Sequence, residues 1–282
     1  MSAKVAVAVI HGIGSQANKT PQVSDQRTFS ADLYKKLERV VGRRLLARDI
    51  VWREIFWADI LQWRQDMYLD QIEDRVAMGP FNARKLLVSN FADALAFSRR
   101  GSAYDDLQER IRRTVQDLRG DCGADTPLVI LAHSFGGRIM SNYLWDLQTE
   151  PGRQLPDPFE NMQTVARFVT FGCNLPLFSF SFPVEEVAPI GFPGSALPAR
   201  YFNEPWWTNY FDPQDLLAYP IAPIGPKYEA LEANGELQDI SVNVGGLTSR
   251  WNTLSHDEYW TGRQFYKPVG EMLKRLIKLR KD

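Results

Sequence analysis

The sequence predicts an α/β fold with a mainly parallel sheet flanked by helices, and two observations carry that prediction. First, short runs that are continuously apolar and rich in β-branched residues recur at residues 5–10, 127–132 and 165–171. This pattern is typical of strands buried on both faces of a parallel sheet. Second, helical stretches separate these runs, and strands that alternate with helices imply βαβ crossovers.

The remaining elements complete the alternation in chain order. Further strands are expected at residues 49–57, 206–211 and 240–244. Helices are expected at residues 25–41, 104–118, 136–147 and 262–281. With a chain of 282 residues, this set of elements indicates a single α/β domain over residues 1–282.

Two regions depart from the alternation. Residues 58–100 have apolar faces at helical spacing throughout, which predicts a helical insertion. Residues 174–205 are rich in Pro, Phe and Gly and are too long for an ordinary connection. Such loops often cover or line a binding site, so a lid-like loop is predicted there.

Charge and composition restrict the class of partner. Lys and Arg total 33 against 34 for Asp and Glu, so a formal charge of -1 gives no electrostatic basis for binding nucleic acid. Cys122 and Cys173 are expected to be free, buried thiols. No segment approaches the roughly 20 apolar residues that span a bilayer, and none is typical of a secretory leader. We therefore expect a cytoplasmic protein without membrane association, whose oligomeric state the sequence does not indicate.

Ser134 is the candidate nucleophile. It lies in Ala132-His133-Ser134-Phe135-Gly136-Gly137, between a buried strand and a predicted helix. A nucleophile elbow requires this context, and its sharp turn requires small residues two positions away on either side, here Ala132 and Gly136. The helix start also places unpaired N–H groups near a developing negative charge. The alternative is a serine that only caps an ordinary helix.

These residues resemble the elbow of the α/β-hydrolase superfamily, which is usually G-x-S-x-G. The chain departs from that pattern at Ala132, which stands in place of the first glycine. The resemblance implies an α/β-hydrolase fold for the predicted sheet and a nucleophilic role for Ser134.

A second motif follows the first buried strand directly: His11-Gly12-Ile13-Gly14. It resembles the HG motif of the same superfamily, which supplies one oxyanion donor. The resemblance implies that the backbone N–H groups of Ile13 and Phe135 form an oxyanion hole, with His11 fixing the loop. The alternative is a tight turn or a phosphate loop, but no G-x-G-x-x-G completes a nucleotide-binding pattern.

A serine nucleophile needs an adjacent base, and the base needs an orienting carboxylate. In the superfamily the chain order is Ser, then Asp or Glu, then His. Of the three histidines only His256 follows Ser134, so the resemblance implies that His256 is the base. Asp215 is the predicted acid, because Pro213 after Asp212 favours a turn there, whereas Asp215 lies further into the loop and precedes the apolar Leu216 and Leu217. Residues 209–215 also resemble the N-x-x-D-P-x-D segment of lipase-like members, in which the second aspartate serves. Asp212 is the alternate acid.

Together these residues predict a serine hydrolase that cleaves a carboxylic ester or thioester through an acyl-enzyme, with no metal and no organic cofactor. The Phe-rich residues 178–192 are the predicted pocket wall, which favours a small substrate with a hydrophobic group. Two alternatives stay open. One is an amidase or peptidase that uses the same triad, and the other is a non-catalytic α/β-hydrolase scaffold that binds a ligand or a protein.

Overall fold

The computed structural model describes residues 3–13, 21, 23, 25–60, 67, 71, 101–244 and 253–280. This part of the chain forms a six-stranded sheet in which every neighbouring pair of strands is parallel. The strands are β1 (Val5–Ile10), β2 (Ile50–Ile55), β3 (Leu128–His133), β4 (Val165–Phe171), β5 (Trp207–Phe211) and β6 (Leu237–Ser241). The predicted α/β class with a parallel sheet is confirmed.

Helices separate the strands and follow the last one. They are α1 (Ala31–Val41), α2 (Arg43–Asp49), α3 (Ser102–Asp121), α4 (Phe135–Thr149), α5 (Leu175–Ser179), α6 (Pro226–Ala233) and α7 (Arg263–Leu279). Short 3-10 segments lie at Pro151–Arg153, Ala199–Tyr201, Ala222–Ile224 and Thr253–Trp260. In the described part of the chain, none of the helices is both long enough and apolar enough to cross a membrane.

The core lies on both faces of the sheet. Because successive side chains of a strand point to opposite faces, Ala6, Ala8 and Ile10 pack with α3 and α4, whereas Val5, Val7 and Val9 pack with α1 and α7. All residues of β1, β3 and β4 are buried. Helices on both faces explain why these strands are apolar at every position rather than at alternate ones.

The strand order is β2-β1-β3-β4-β5-β6. The chain moves outward from β1 to β2 and then returns to the other side of β1 to form β3. In an open parallel sheet, such a reversal leaves a crevice at the carboxyl ends of the two strands, where ligands commonly bind. The carboxyl ends of β1 and β3 lead into the two motifs found in the sequence, which contain Gly12 and Ser134.

Several element boundaries differ from the predictions. The helix predicted at residues 25–41 begins only at Ala31, because the Glu54 carboxylate accepts the backbone N–H groups of Thr28 and Ser30 just before it. The last strand ends at Ser241, earlier than predicted, although Val242 and Val244 beyond it are buried. The apolar pattern there indicates burial rather than strand pairing. The short helices α2, α5 and α6 were not predicted.

The two predicted departures from the alternation have different outcomes. The helical insertion predicted at residues 58–100 lies outside the described residues, apart from 58–60, 67 and 71. The lid-like loop predicted at residues 174–205 is described: it begins with α5 and ends near the Ala199–Tyr201 segment. Cys122 and Cys173 are free and buried, as expected.

Candidate active site

Ser134 occupies a strained turn between β3 and α4. Its backbone lies at φ 54° and ψ -125°, a conformation that costs a non-glycine residue about 1–3 kcal/mol. The surrounding main chain holds it there, since the Ser134 N–H donates to the Phe171 carbonyl at 2.9 Å. A Cβ on Gly136 would lie 2.7 Å from the His11 carbonyl oxygen, so only glycine fits this side of the turn. The turn projects Ser134 at the carboxyl edge of the sheet.

Ser134, His256 and Asp215 form a continuous chain of hydrogen bonds. The Ser134 Oγ lies 2.7 Å from His256 Nε2, and His256 Nδ1 lies 2.7 Å from Asp215 Oδ2. With Nδ1–H donating to the carboxylate, Nε2 is left to accept the serine proton. All three residues are buried, with 3%, 7% and 4% of their surfaces exposed. The structure therefore brings together three predicted residues from separate segments of the chain.

The second oxygen of Asp215 is also fixed. Asp215 Oδ1 accepts the Leu217 N–H at 3.0 Å. The Tyr259 hydroxyl lies beside the same carboxylate, and burial together with the nearby negative charge of Asp215 raises the pKa of Tyr259. This hydroxyl also accepts the Asp212 N–H at 2.7 Å, which joins the two acidic residues of the loop to the segment that carries His256.

Asp212, the alternate acid, bonds with the main chain through both oxygens. Its Oδ1 accepts the Gln214 N–H at 2.9 Å, and its Oδ2 accepts the Val244 N–H at 2.8 Å. These bonds close the turn after β5 and tie it to the chain that leaves β6. The carboxylate that meets the His256 ring in a hydrogen bond belongs to Asp215.

His133 contacts His256 through a hydrogen bond and through its ring. Its Nε2–H donates to the His256 backbone carbonyl at 2.8 Å, and the two rings lie 4.7 Å apart. Burial, followed by the nearby His256, holds the pKa of His133 well below its usual range, so the ring is neutral. Its Nδ1 is buried without a hydrogen-bond partner in the described part of the chain. His133 thus positions the main chain of the proposed base.

His11 fixes the loop after β1. Its Nδ1–H donates to the Gly12 carbonyl at 2.6 Å, and its Nε2 accepts the Trp57 N–H at 3.2 Å. The imidazole stacks on the Trp57 indole, with ring centroids 4.9 Å apart. The indole N–H in turn donates to the His11 carbonyl at 2.9 Å. These contacts agree with the structural role that the resemblance implied for His11.

The main chain at Gly12 passes directly against the serine. A Cβ there would lie 2.4 Å from the Ser134 Cβ and 2.9 Å from its Oγ, so this approach requires glycine. The next residue, Ile13, is half-buried against the apolar core. Phe135 is the first residue of α4, where a helix leaves its N–H groups without an intrahelical acceptor. Phe135 thus follows Ser134 directly in the chain, and Ile13 follows Gly12, the residue that passes against the serine; Gly14 lies outside the described residues.

Sequence reasoning missed two residues that shape the site. Gly172, just after β4, has φ +60°, and a Cβ on it would lie 3.2 Å from His256 Cε1 and 3.3 Å from His133 Nε2. Tyr259 was missed as well. Gly172 carried a usable signal, because it follows a buried strand at the same sheet edge as Ser134. For Tyr259, the sequence held no signal of a place in the site beyond its closeness to His256 in the chain.

Among the described residues, no group of three or more His, Cys, Asp and Glu side chains is arranged to hold a metal ion. No protein-family model matches the chain, and no curated protein matches it.

Proposed function

We propose that the protein is a serine hydrolase of the α/β-hydrolase type that cleaves a carboxylic ester or thioester through an acyl-enzyme. The observation that carries the proposal is the hydrogen-bond chain from Ser134 through His256 to Asp215, with 2.7 Å at each link. A nucleophile within reach of a base, which a third group orients, is the arrangement that activates serine. The strained backbone of Ser134 adds support, because strain of this kind clusters at functional sites.

In the proposed reaction, Ser134 Oγ attacks the substrate carbonyl carbon while His256 Nε2 accepts the hydroxyl proton. The bond to the leaving oxygen or sulfur then breaks, and His256 returns the proton to the departing alcohol or thiol. Water attacks the acyl-enzyme with His256 again as base, which releases a carboxylate and restores the serine. Asp215 stabilises the imidazolium that forms in both halves of the reaction.

Negative charge develops on the substrate oxygen in each half-reaction. The N–H groups of Ile13 and Phe135 are proposed to donate to it, and the positive end of α4 adds to the stabilisation. Rigid backbone donors suit this task because they are oriented before the charge appears, and losing one costs about 3–4 kcal/mol. The close approach of Gly12 to Ser134 supports the placement of Ile13.

A substrate with a hydrophobic group is supported by the aromatic residues of α5 and of the loop after it. The Phe178 ring lies 5.4 Å from the ring of Phe135, the residue after the nucleophile. Phe180 and Phe182 are exposed on the same loop. The Phe-rich segment thus begins beside the proposed oxyanion hole, where a small acyl ester would lie.

A fluorophosphonate probe tests the proposal directly. We expect it to label the folded protein once, at Ser134, and to leave Ser134→Ala unlabelled. Hydrolysis of chromogenic acyl esters should fall at least about 1,000-fold in Ser134→Ala. Ser195→Ala is the matched control, because Ser195 is exposed on the surface and should keep full activity.

Each alternative function has its own result in this experiment. A folded protein that the probe does not label would indicate a non-catalytic scaffold. Equal rates on a matched ester and anilide would favour an amidase or peptidase, because the two substrates have the same acyl group and differ only in the leaving group. Full activity in Ser134→Ala would contradict every function proposed for this site.

A further inference from the structure

A cavity of about 290 Å³ lies along the outer side of α4, apart from the three residues proposed for catalysis. Arg138 and Trp145 of α4 form one wall. Phe178 and Phe182, in α5 and the loop after it, also line the cavity. Ser134 does not line this space, but the cavity shares Phe178 and Phe182 with the Phe-rich segment that is proposed to contact the hydrophobic group of the substrate.

Arg138 is a cation without an anion in the described part of the chain. Its guanidinium stacks over the Phe178 ring at 3.8 Å and lies 6.0 Å from the Phe135 ring. Its Nε and Nη1 are buried, and neither has a hydrogen-bond partner among the described residues. Buried arginines are normally paired, because a buried charge without a partner is costly. Stacking on an aromatic ring offsets part of that cost and leaves the N–H donors unsatisfied.

The cation keeps its charge. Burial lowers the pKa of Arg138 to about 10, which still leaves it protonated at neutral pH. A planar guanidinium that stacks through its face presents its N–H donors at its edge. The natural partner for such an edge is a group that only accepts hydrogen bonds and carries negative charge, such as a carboxylate.

The rest of the cavity lining selects among anions. Apart from Arg138 it is mainly apolar, with Leu175, Val187 and Ile224 beside the aromatic walls. One acidic residue, Glu186, lines the cavity at an exposed position. That charge disfavours a multiply charged ligand, and the apolar walls disfavour a small inorganic ion. A single carboxylate on an apolar body fits both constraints.

We propose that this cavity binds a small amphipathic carboxylate, with the carboxylate on Arg138 and the apolar body between Trp145 and Phe182. Arg138 follows Ser134 by four residues, which is about 6 Å along a helix axis, so the site adjoins the proposed active site. The inference goes beyond the proposed function and does not depend on catalysis by Ser134.

Direct binding to the full chain tests the inference. The probes are 4-phenylbutanoate and its neutral counterpart 4-phenylbutan-1-ol, titrated by calorimetry into protein whose Ser134 is replaced by alanine so that turnover plays no part. We expect the carboxylate to bind at least about tenfold more tightly than the alcohol. Arg138→Met should weaken carboxylate binding about ten- to a hundredfold, the range for a charge-assisted hydrogen bond.

Two controls make the result specific. Arg113→Met removes an exposed arginine of α3 that pairs with Glu109, and it should leave binding unchanged. Glu186→Gln removes the acidic residue of the cavity and should tighten carboxylate binding. The indole N–H signal of Trp145 in a nitrogen–proton NMR spectrum, assigned with Trp145→Phe, should shift as the carboxylate binds.

The inference is overturned if the Ser134→Ala protein with Arg138 unchanged binds the alcohol as tightly as the carboxylate, or binds neither. Equal carboxylate affinity in Arg138→Met overturns it too, as does binding that leaves the Trp145 signal unmoved. If Arg138→Met fails to fold, Arg138→Lys gives the test instead, since it keeps a cation and loses the stacked planar donors. At least a threefold loss of affinity is then expected, and an unchanged affinity contradicts the inference.

Discussion

Replacing Asp215 by asparagine should remove most of the catalytic activity, and the hydrogen bonds around this residue explain why. Its Oδ1 accepts the Leu217 N–H at 3.0 Å, while its Oδ2 accepts the His256 Nδ1–H at 2.7 Å. In Asp215→Asn, the remaining oxygen is held by the Leu217 N–H, so the new NH₂ group faces His256. His256 Nδ1 must then accept a hydrogen bond, which places the ring proton on Nε2.

That tautomer cannot take a proton from Ser134, because Nε2 already carries one. The same change in a serine protease triad, with the geometry intact, lowers kcat about 10⁴-fold, which corresponds to about 5 kcal/mol of transition-state stabilisation. We expect a loss of that order in Asp215→Asn. The measurement is kcat for a chromogenic ester, normalised to folded protein by circular dichroism and thermal unfolding.

Asp212→Asn is the matched control. Asp212 accepts backbone N–H groups from Gln214 and Val244, so the new amide leaves one of these donors unsatisfied. An unsatisfied buried group costs about 1–3 kcal/mol, which should lower the unfolding temperature by several degrees. The kcat of the folded fraction should stay near that of the wild type, because the His256 tautomer does not change.

The opposite pattern would refute this reasoning. If Asp212→Asn lost most of its kcat while Asp215→Asn stayed within tenfold of the wild type, the acid would be Asp212. If neither variant lost activity, His256 would not depend on an orienting carboxylate.

Two further predictions concern the surroundings of the serine. The buried, neutral His133 has a folded-state pKa below its unfolded value of about 6.5, so below that pH the unfolded chain binds a proton that the folded chain does not. Below that pH, the free energy of unfolding should therefore fall with decreasing pH by up to about 1.4 kcal/mol per pH unit. In His133→Gln, the free energy of unfolding, measured with urea at several pH values, should depend less steeply on pH. An unchanged pH dependence would contradict this. Gly12→Ala should lower kcat at least about 100-fold, because the new Cβ would lie 2.4 Å from the Ser134 Cβ and displace the nucleophile or its loop. Gly120→Ala, where no atom lies within 4 Å of the new Cβ, should keep full activity, and comparable losses in both variants would count against steric displacement.

The layout of the sheet was predictable because burial on both faces leaves a clear local signal. The apolar runs at β1, β3 and β4 appear in the sequence with boundaries within one residue of those in the structure. Short helices such as α5 carry no such signal, since five residues are too few for a recognisable apolar face. The order of the strands depends on long-range pairing, which no local pattern records.

The candidate site was predictable to a different extent. Ser134 and Gly12 lie in motifs at strand ends, where the local sequence itself has to accommodate a tight turn. Asp215 could be preferred over Asp212 only through the turn that Pro213 favours after Asp212 and through a resemblance, because both aspartates follow β5 and both are buried. The hydrogen bonds that separate their roles come from Leu217, Val244 and the His256 ring, and the last two lie far away in sequence.

The buried carboxylates of the site have hydrogen-bond partners that offset the free-energy cost of removing them from water. Asp215 would be costly without partners, but its two oxygens accept from His256 and Leu217, and Asp212 accepts from two backbone N–H groups. Tyr259 joins the two loops by accepting the Asp212 N–H beside the Asp215 carboxylate. The Asp212 bond to the Val244 N–H ties the chain after β5 to the chain after β6, whereas the Asp215 bonds hold its carboxylate against Leu217 and the His256 ring. A variant at Asp212 should therefore change stability and leave the His256 tautomer intact, whereas Asp215→Asn changes that tautomer while the loop bond to Leu217 remains.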